Sequence, residues 1–69
     1  MARTALEERV RRRIKAQQSL YSLSNSDMAL KMHMSLQAWE RRLNQPGKLT
    51  LEEMHRIDTV LKTKLMEAI

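Results

Sequence analysis

Apolar residues recur along this chain at helical rather than strand spacing. Leu6, Val10 and Ile14 stand four residues apart and make one stripe, which predicts a first helix from roughly Thr4 to Ser19. Arg9, Arg11, Arg12, Arg13 and Lys15 cover much of the rest of that helix. Thr4 and Glu7 have the spacing of a capping box. In the link LYSLS, residues 20–24, Leu20 and Leu23 are expected to turn inward. Ser24, with Asp27 three residues on, then opens a second helix from Asn25 to about Met32. Its short inward face is Met28, Ala29 and Met32.

Ser35 is the next N-cap candidate, and the third helix is expected from Leu36 to about Asn44, with Trp39 and Leu43 inward. NQPGK, residues 44–48, is a loop. Thr50 and Glu53 form the clearest capping box, and Leu49 and Met54 stand where a hydrophobic staple places them. Met54, Ile57, Leu61 and Leu65 continue a fourth helix, with Lys62 and Lys64 in its C-terminal half. TVLKTKL, residues 59–65, also has some strand character through Thr59 and Val60, but helix ranks above strand. The fold class expected is therefore all-α, with four to five helices in one domain over residues 1–69.

Composition sharpens this picture. One Gly, one Pro, no Phe and only Tyr21 and Trp39 as aromatics argue against a sheet. A chain of 69 residues buries only about 60% of its unfolded surface, so a partner subunit is expected to help stabilise it. With no Cys there is no disulfide framework and no Cys-based zinc site. No apolar run reaches the roughly 18–20 residues of a membrane span, and no secretory h-region follows the N-terminus, so a cytoplasmic protein with no membrane partner is expected.

Charge adds a partner class. Thirteen Lys and Arg against eight Asp and Glu give a net +5, and seven of those bases but only three acids fall in residues 1–35. A basic surplus favours a polyanion. Catalysis finds no support: there is no phosphate-cradling glycine loop and no matched nucleophile, His and carboxylate. No catalytic residue, small-molecule substrate or cofactor is therefore assigned. Met32, His33 and Met34, in KMHMS, offer soft ligands for a metal. As a bend between two helices the same stretch would bury the thioethers and expose the imidazole, so no metal site is assigned.

Two short helices joined by a three-to-four-residue bend make a helix-turn-helix. Residues 25–44 fit it. Ala29 sits where the helices would cross, Met34 would plug the corner, Trp39 would pack mid-helix and Leu43 would close the far end. Over residues 23–61, LSNSDMALKMHMSLQAWERRLNQPGKLTLEEMHRIDTVL, the chain resembles the lambda-repressor-like (XRE-type) helix-turn-helix family, which includes small phage repressors and Cro proteins. WERRLNQPGKLTLEEMHRI is also similar to small phage-encoded regulators with an aromatic–x–Arg-Arg-Leu…Pro pattern before a final capped helix. Three positions depart from the family: His33 where Gly is usual, Asn25 where Gln is common, and Arg42 where an apolar residue is usual. His is among the non-glycine residues that enter the left-handed region more readily.

The resemblance implies a sequence-specific regulator that binds double-stranded DNA as a homodimer on a two-fold operator, of phage or prophage repressor or Cro type. It puts Leu36, Gln37, Glu40, Arg41 and Asn44 against base edges. Gln suits adenine, Arg guanine, Glu cytosine and Leu the thymine methyl. It puts Asn25, Ser26, Lys31, Ser35, Arg42 and Lys48 against phosphates. Val60, Leu65, Met66 and Ile69 are the expected dimer surface. Trp39 is read as a core anchor and His55 as an exposed helix residue. The Arg9–Lys15 cluster is as readily a solvated face as a phosphate contact. Two other readings stay open. Leu36 and Glu40 on the reading face suit a protein-interaction module of antitoxin or anti-repressor type that does not read DNA. RVRRRIK with Leu6, Val10 and Ile14 suits a membrane-surface or nonspecific nucleic-acid binder, ranked third because that stripe is needed for the core.

Overall fold

Three reciprocal capping boxes set where the helices begin. In each, a Thr or Ser side chain accepts from the backbone N–H three residues on, and the carboxylate of that residue accepts from the cap's own N–H. The pairs are Thr4 with Glu7, Ser24 with Asp27 and Thr50 with Glu53. The computed structural model describes residues 4–65, and there the chain forms α1 (Ala5–Leu20), α2 (Asn25–Lys31), α3 (Leu36–Asn44), a 3-10 turn (Pro46–Lys48) and α4 (Leu51–Leu61). Ser35 caps α3 by accepting from Ala38 N–H at 3.1 Å; Ala38 has no polar side chain to return the bond. A cap of this kind is worth about 0.5–2 kcal/mol. The expected starts of all four helices therefore hold, and no described residue is in a strand.

Helix ends are set differently. After α1, Ser22 takes φ 56°, its N–H donates to Ser19 O at 3.2 Å, and Leu23 N–H donates to Gln18 O at 2.8 Å. After α2, His33 takes φ 58°, its N–H donates to Leu30 O at 3.2 Å, and Met34 N–H donates to Ala29 O at 3.0 Å. Both are Schellman endings, in which a left-handed residue lets the chain reverse and satisfy the last carbonyls. Glycine usually fills that position; here serine and histidine do, because the single glycine, Gly47, lies in the 3-10 turn.

α4 is shorter than the pattern predicts. It stops at Leu61 because Lys62 turns left-handed at φ 55°, and Lys64 follows at φ 58°. Leu65 still reaches the core, fully buried. Asp58 Oδ1 accepts from Leu65 N–H at 2.8 Å and from Thr63 Oγ1. From α1, Gln17 Nε2 donates to Leu61 O at 2.7 Å and Arg13 Nη1 to Thr63 O at 3.2 Å. Period alone carries Leu65 into a continuing helix; these four bonds hold it on the same core by a different path. Lys62 and Lys64 therefore do not lie on the helix's last turns.

The core joins Val10 and Ile14 of α1, Met28, Ala29 and Met32 at α2, Trp39 and Leu43 of α3, and Met54, Ile57 and Leu61 of α4, with Leu49 and Leu65. Leu23, Met34 and Val60 pack on it half-buried. Two expected members are not there: Leu6 is 45% and Leu20 is 70% exposed. A four-residue repeat precesses about 40° per step around a helix, so a long stripe cannot stay on one face. The buried stripe of α1 is Val10, Ile14 and Gln18, which leaves Leu6 at its edge. Leu20 lies at the C-terminal end of α1, beside its left-handed ending.

Candidate nucleic-acid interface

α2, the left-handed bend and α3 make a helix-turn-helix over residues 25–44. Its packing is set by apolar anchors at the expected places. Ala29 and Met32 are buried, Met34 is half-buried after the bend, Trp39 is fully buried and Leu43 nearly so. His33 is exposed while Met32 is buried, so the imidazole and that thioether do not share one environment. Among the described residues no group of three or more His, Cys, Asp or Glu is placed to hold a metal, and no helix is long and apolar enough to cross a membrane.

Burying Trp39 and Leu43 turns the opposite side of α3 outward. Leu36 (41% exposed), Gln37, Glu40, Arg41 and Asn44 are all exposed. The side presents carboxamides, one carboxylate, one guanidinium and one apolar group on a rigid helix. Ser26 and Lys31 on α2 and Lys48 on the following turn are exposed as well. Ser35 is exposed, but its hydroxyl oxygen serves as the cap of α3.

Two residues expected at phosphates are engaged within the protein. Asn25 Oδ1 accepts from Gln18 Nε2 at 3.0 Å and from Trp39 Nε1 at 3.2 Å. Arg42 Nε lies 3.1 Å from Glu53 Oε2, tying the end of α3 to the start of α4. Burial pushes the Glu53 carboxyl up, but the Thr50 N–H and the Arg42 guanidinium outweigh that and hold it below the usual glutamate range. A carboxylate on the facing helix thus meets Arg42, while Leu43 does the packing. Arg56 Nη1 donates to Met32 O at 3.3 Å and so satisfies a carbonyl at the end of α2.

Of the expected dimer surface, Leu65 is not spare, since it is buried within its own chain, and Val60 is half-buried on the same core. Met66 and Ile69 lie outside the described residues. On α1, Arg13 is bonded to the Thr63 carbonyl, and Arg12 lies 4.0 Å from Glu8. Gln18 of α1 and Trp39 of α3 both donate to the Asn25 side-chain oxygen at the start of α2.

Polar ties between helices leave little trace in a hydrophobic pattern, and sequence reasoning singles out none of Gln17, Gln18 and Asp58. Gln18 alone carries a signal, since it continues the Val10–Ile14 spacing by one more step. No protein-family model matches this chain, no curated protein matches it, and no solved structure matches its fold.

Proposed function

We propose that this protein is a sequence-specific, double-stranded-DNA-binding transcriptional regulator of the lambda-repressor-like helix-turn-helix kind, of phage or prophage repressor or Cro type, working as a homodimer in the cytoplasm. The observation that carries the reading is the outward side of α3. Gln37, Glu40 and Arg41 are exposed on a helix whose other side is anchored by Trp39, and the helix follows a capped α2 through a left-handed bend. In this reading α3 enters the major groove. Gln37 pairs with adenine, Arg41 with guanine and Glu40 with cytosine, Leu36 touches a thymine methyl and Asn44 reaches the last base. Ser26, Lys31, Ser35 and Lys48 face phosphates. Asn25 Oδ1 and Arg42 Nε hold other helices, so in this reading it is the Asn25 Nδ2 and the Arg42 Nη groups that face phosphates. The net +5 charge supports association with a polyanion.

Selection from a random duplex library tests the reading. An enriched palindrome supports both base reading and the homodimer; no enrichment at low salt overturns it. A second reading has its own observation. Leu30 is 78% and Leu36 41% exposed on either side of the bend, and Glu40 would repel phosphate, which suits a protein-interaction module of antitoxin or anti-repressor type. A stoichiometric protein partner that survives nuclease treatment of the native complex would favour it.

A further inference from the structure

The buried stripe of α1 contains an amide where an apolar residue would fit the pattern. Gln18 is 3% exposed, and its Oε1 has no partner among the described residues. Its Nε2 donates to Leu23 O at 3.3 Å and to Asn25 Oδ1 at 3.0 Å. A buried amide so incompletely satisfied costs stability relative to an apolar side chain of the same shape. What it gains is direction. An indole N–H can only donate, so the Trp39 contact at 3.2 Å requires the oxygen of Asn25, and that oxygen then requires the nitrogen of Gln18. The three residues form one bridge from α1, through the first residue of α2, to the middle of α3.

Apolar packing is non-directional, whereas hydrogen bonds weaken steeply off their geometry. The bridge therefore restrains the rotation of α3 about its own axis more closely than Leu43 or Met34 can. The leverage is large. At the roughly 5–6 Å radius of a helix with side chains, a roll of about 10° moves a side-chain tip by about 1 Å. That shift exceeds the roughly 0.5 Å width of the usual hydrogen-bond range.

We propose that Gln18 and Asn25 are positioning residues for α3: acting through Trp39, they set its rotation and so decide whether Gln37, Glu40 and Arg41 meet base edges together. The proposal rests on the DNA reading. Gln18 touches no DNA in it, and Asn25 Oδ1, an acceptor, bonds no phosphate; the effect of this bridge is on discrimination between sequences rather than on attraction to the polyanion.

The test uses the whole chain, well below its unfolding temperature, with Gln18→Met, Asn25→Ala and Asn25→Asp. The probes are the duplex enriched from a random library, the same duplex with one base pair changed, and an unrelated duplex. The indole N–H resonance is read alongside, and it is unambiguous because the chain has a single Trp. Asn25→Ala should lower the ratio of affinities for the enriched and changed duplexes by about tenfold, the order of one bidentate base contact. The indole resonance should move. In Gln18→Met, affinity for the unrelated duplex should stay within about twofold, since phosphate contacts carry it and Gln18 is buried. Gln18→Met should act in the same direction, more weakly, and it keeps the core apolar should Asn25→Ala fail to fold. Asn25→Asp keeps an acceptor for both donors. It should retain the indole resonance and the ratio, while its added charge weakens all three duplexes by a common factor. The proposal is overturned if Gln18→Met and any folded Asn25→Ala keep the wild-type ratio. It is equally overturned if they weaken all duplexes alike, or if Asn25→Asp loses the ratio as fully as Asn25→Ala. A wild-type protein with no preferred duplex overturns the DNA reading first, and the proposal with it.

Discussion

Replacing His33 by glycine should stabilise the protein. The residue holds φ 58° at the end of α2, and its side chain is exposed. For a residue with a Cβ, the left-handed conformation costs about 1–2 kcal/mol. Glycine removes that cost but adds about 0.5–1 kcal/mol through its freer unfolded chain. The bonds of the bend, His33 N–H to Leu30 O and Met34 N–H to Ala29 O, are backbone bonds and survive the change. The balance is a gain of about 0.5–1 kcal/mol, toward the lower end because His tolerates this region better than most residues. For a domain of 60–100 residues about 1 kcal/mol moves the melting temperature by 4–8 °C, so a rise of about 2–8 °C is expected. Thermal and urea unfolding followed by circular dichroism measure it, with an unchanged urea slope showing that the gain lies in stability. Lys62→Gly is the internal comparison, since Lys62 has nearly the same backbone at the end of α4. Lys62→Gly stabilising while His33→Gly destabilises would refute the left-handed bend, and with it the register that places α3.

Gly47→Ala should cost about 0.5–1.5 kcal/mol, the net worth of one hydrogen bond, because a Cβ there would lie 2.7 Å from Glu7 Oε2, which accepts from Gly47 N–H at 3.1 Å. In Glu7→Ala the same change should be nearly neutral, and a double-mutant cycle in urea reads the difference. Glu53 is more acidic folded than unfolded, so its stabilisation is present above the ordinary glutamate value and is lost as pH falls through its lowered one. Arg42→Leu should flatten that acid limb in a urea-midpoint series from neutral pH downward; an unchanged limb would show that Arg42 does not hold the carboxyl down. Gln37→Ala and Arg41→Ala should each cost about 1–3 kcal/mol at a single operator position, whereas Lys48→Ala should weaken all duplexes alike and reduce the salt slope by about one. Titrations against a panel of single-base operator variants separate these two patterns.

Local chemistry in the chain determined where helices start. A cap and its partner lie three residues apart, and the contest between Thr50 with Glu53 and other starts is decided within one turn. The apolar spacing likewise determined which sides of α2 and α3 turn inward, because Met28 with Met32, and Trp39 with Leu43, lie one turn apart on short helices. The left-handed bend at His33 was legible only through the resemblance, which has Gly at that position.

Only the tertiary structure decided the rest. Ser22, Lys62 and Lys64 are left-handed because Leu23 and Leu65 must return to a shared core, a constraint that no local propensity carries. Leu6 lost its place to helical precession, and Leu65 lies inside its own chain rather than on a surface for a partner. The ties of Asn25 to Gln18 and Trp39, and of Arg42 to Glu53, join residues that are up to fourteen positions apart. A hydrophobic pattern ranks side chains by their need to leave water, and it says nothing about which polar group will meet which once they have. That pairing depends on the relative placement of helices, so the sequence by itself determined the helices and their inward faces, while the fold alone decided which polar side chains remain available for a partner.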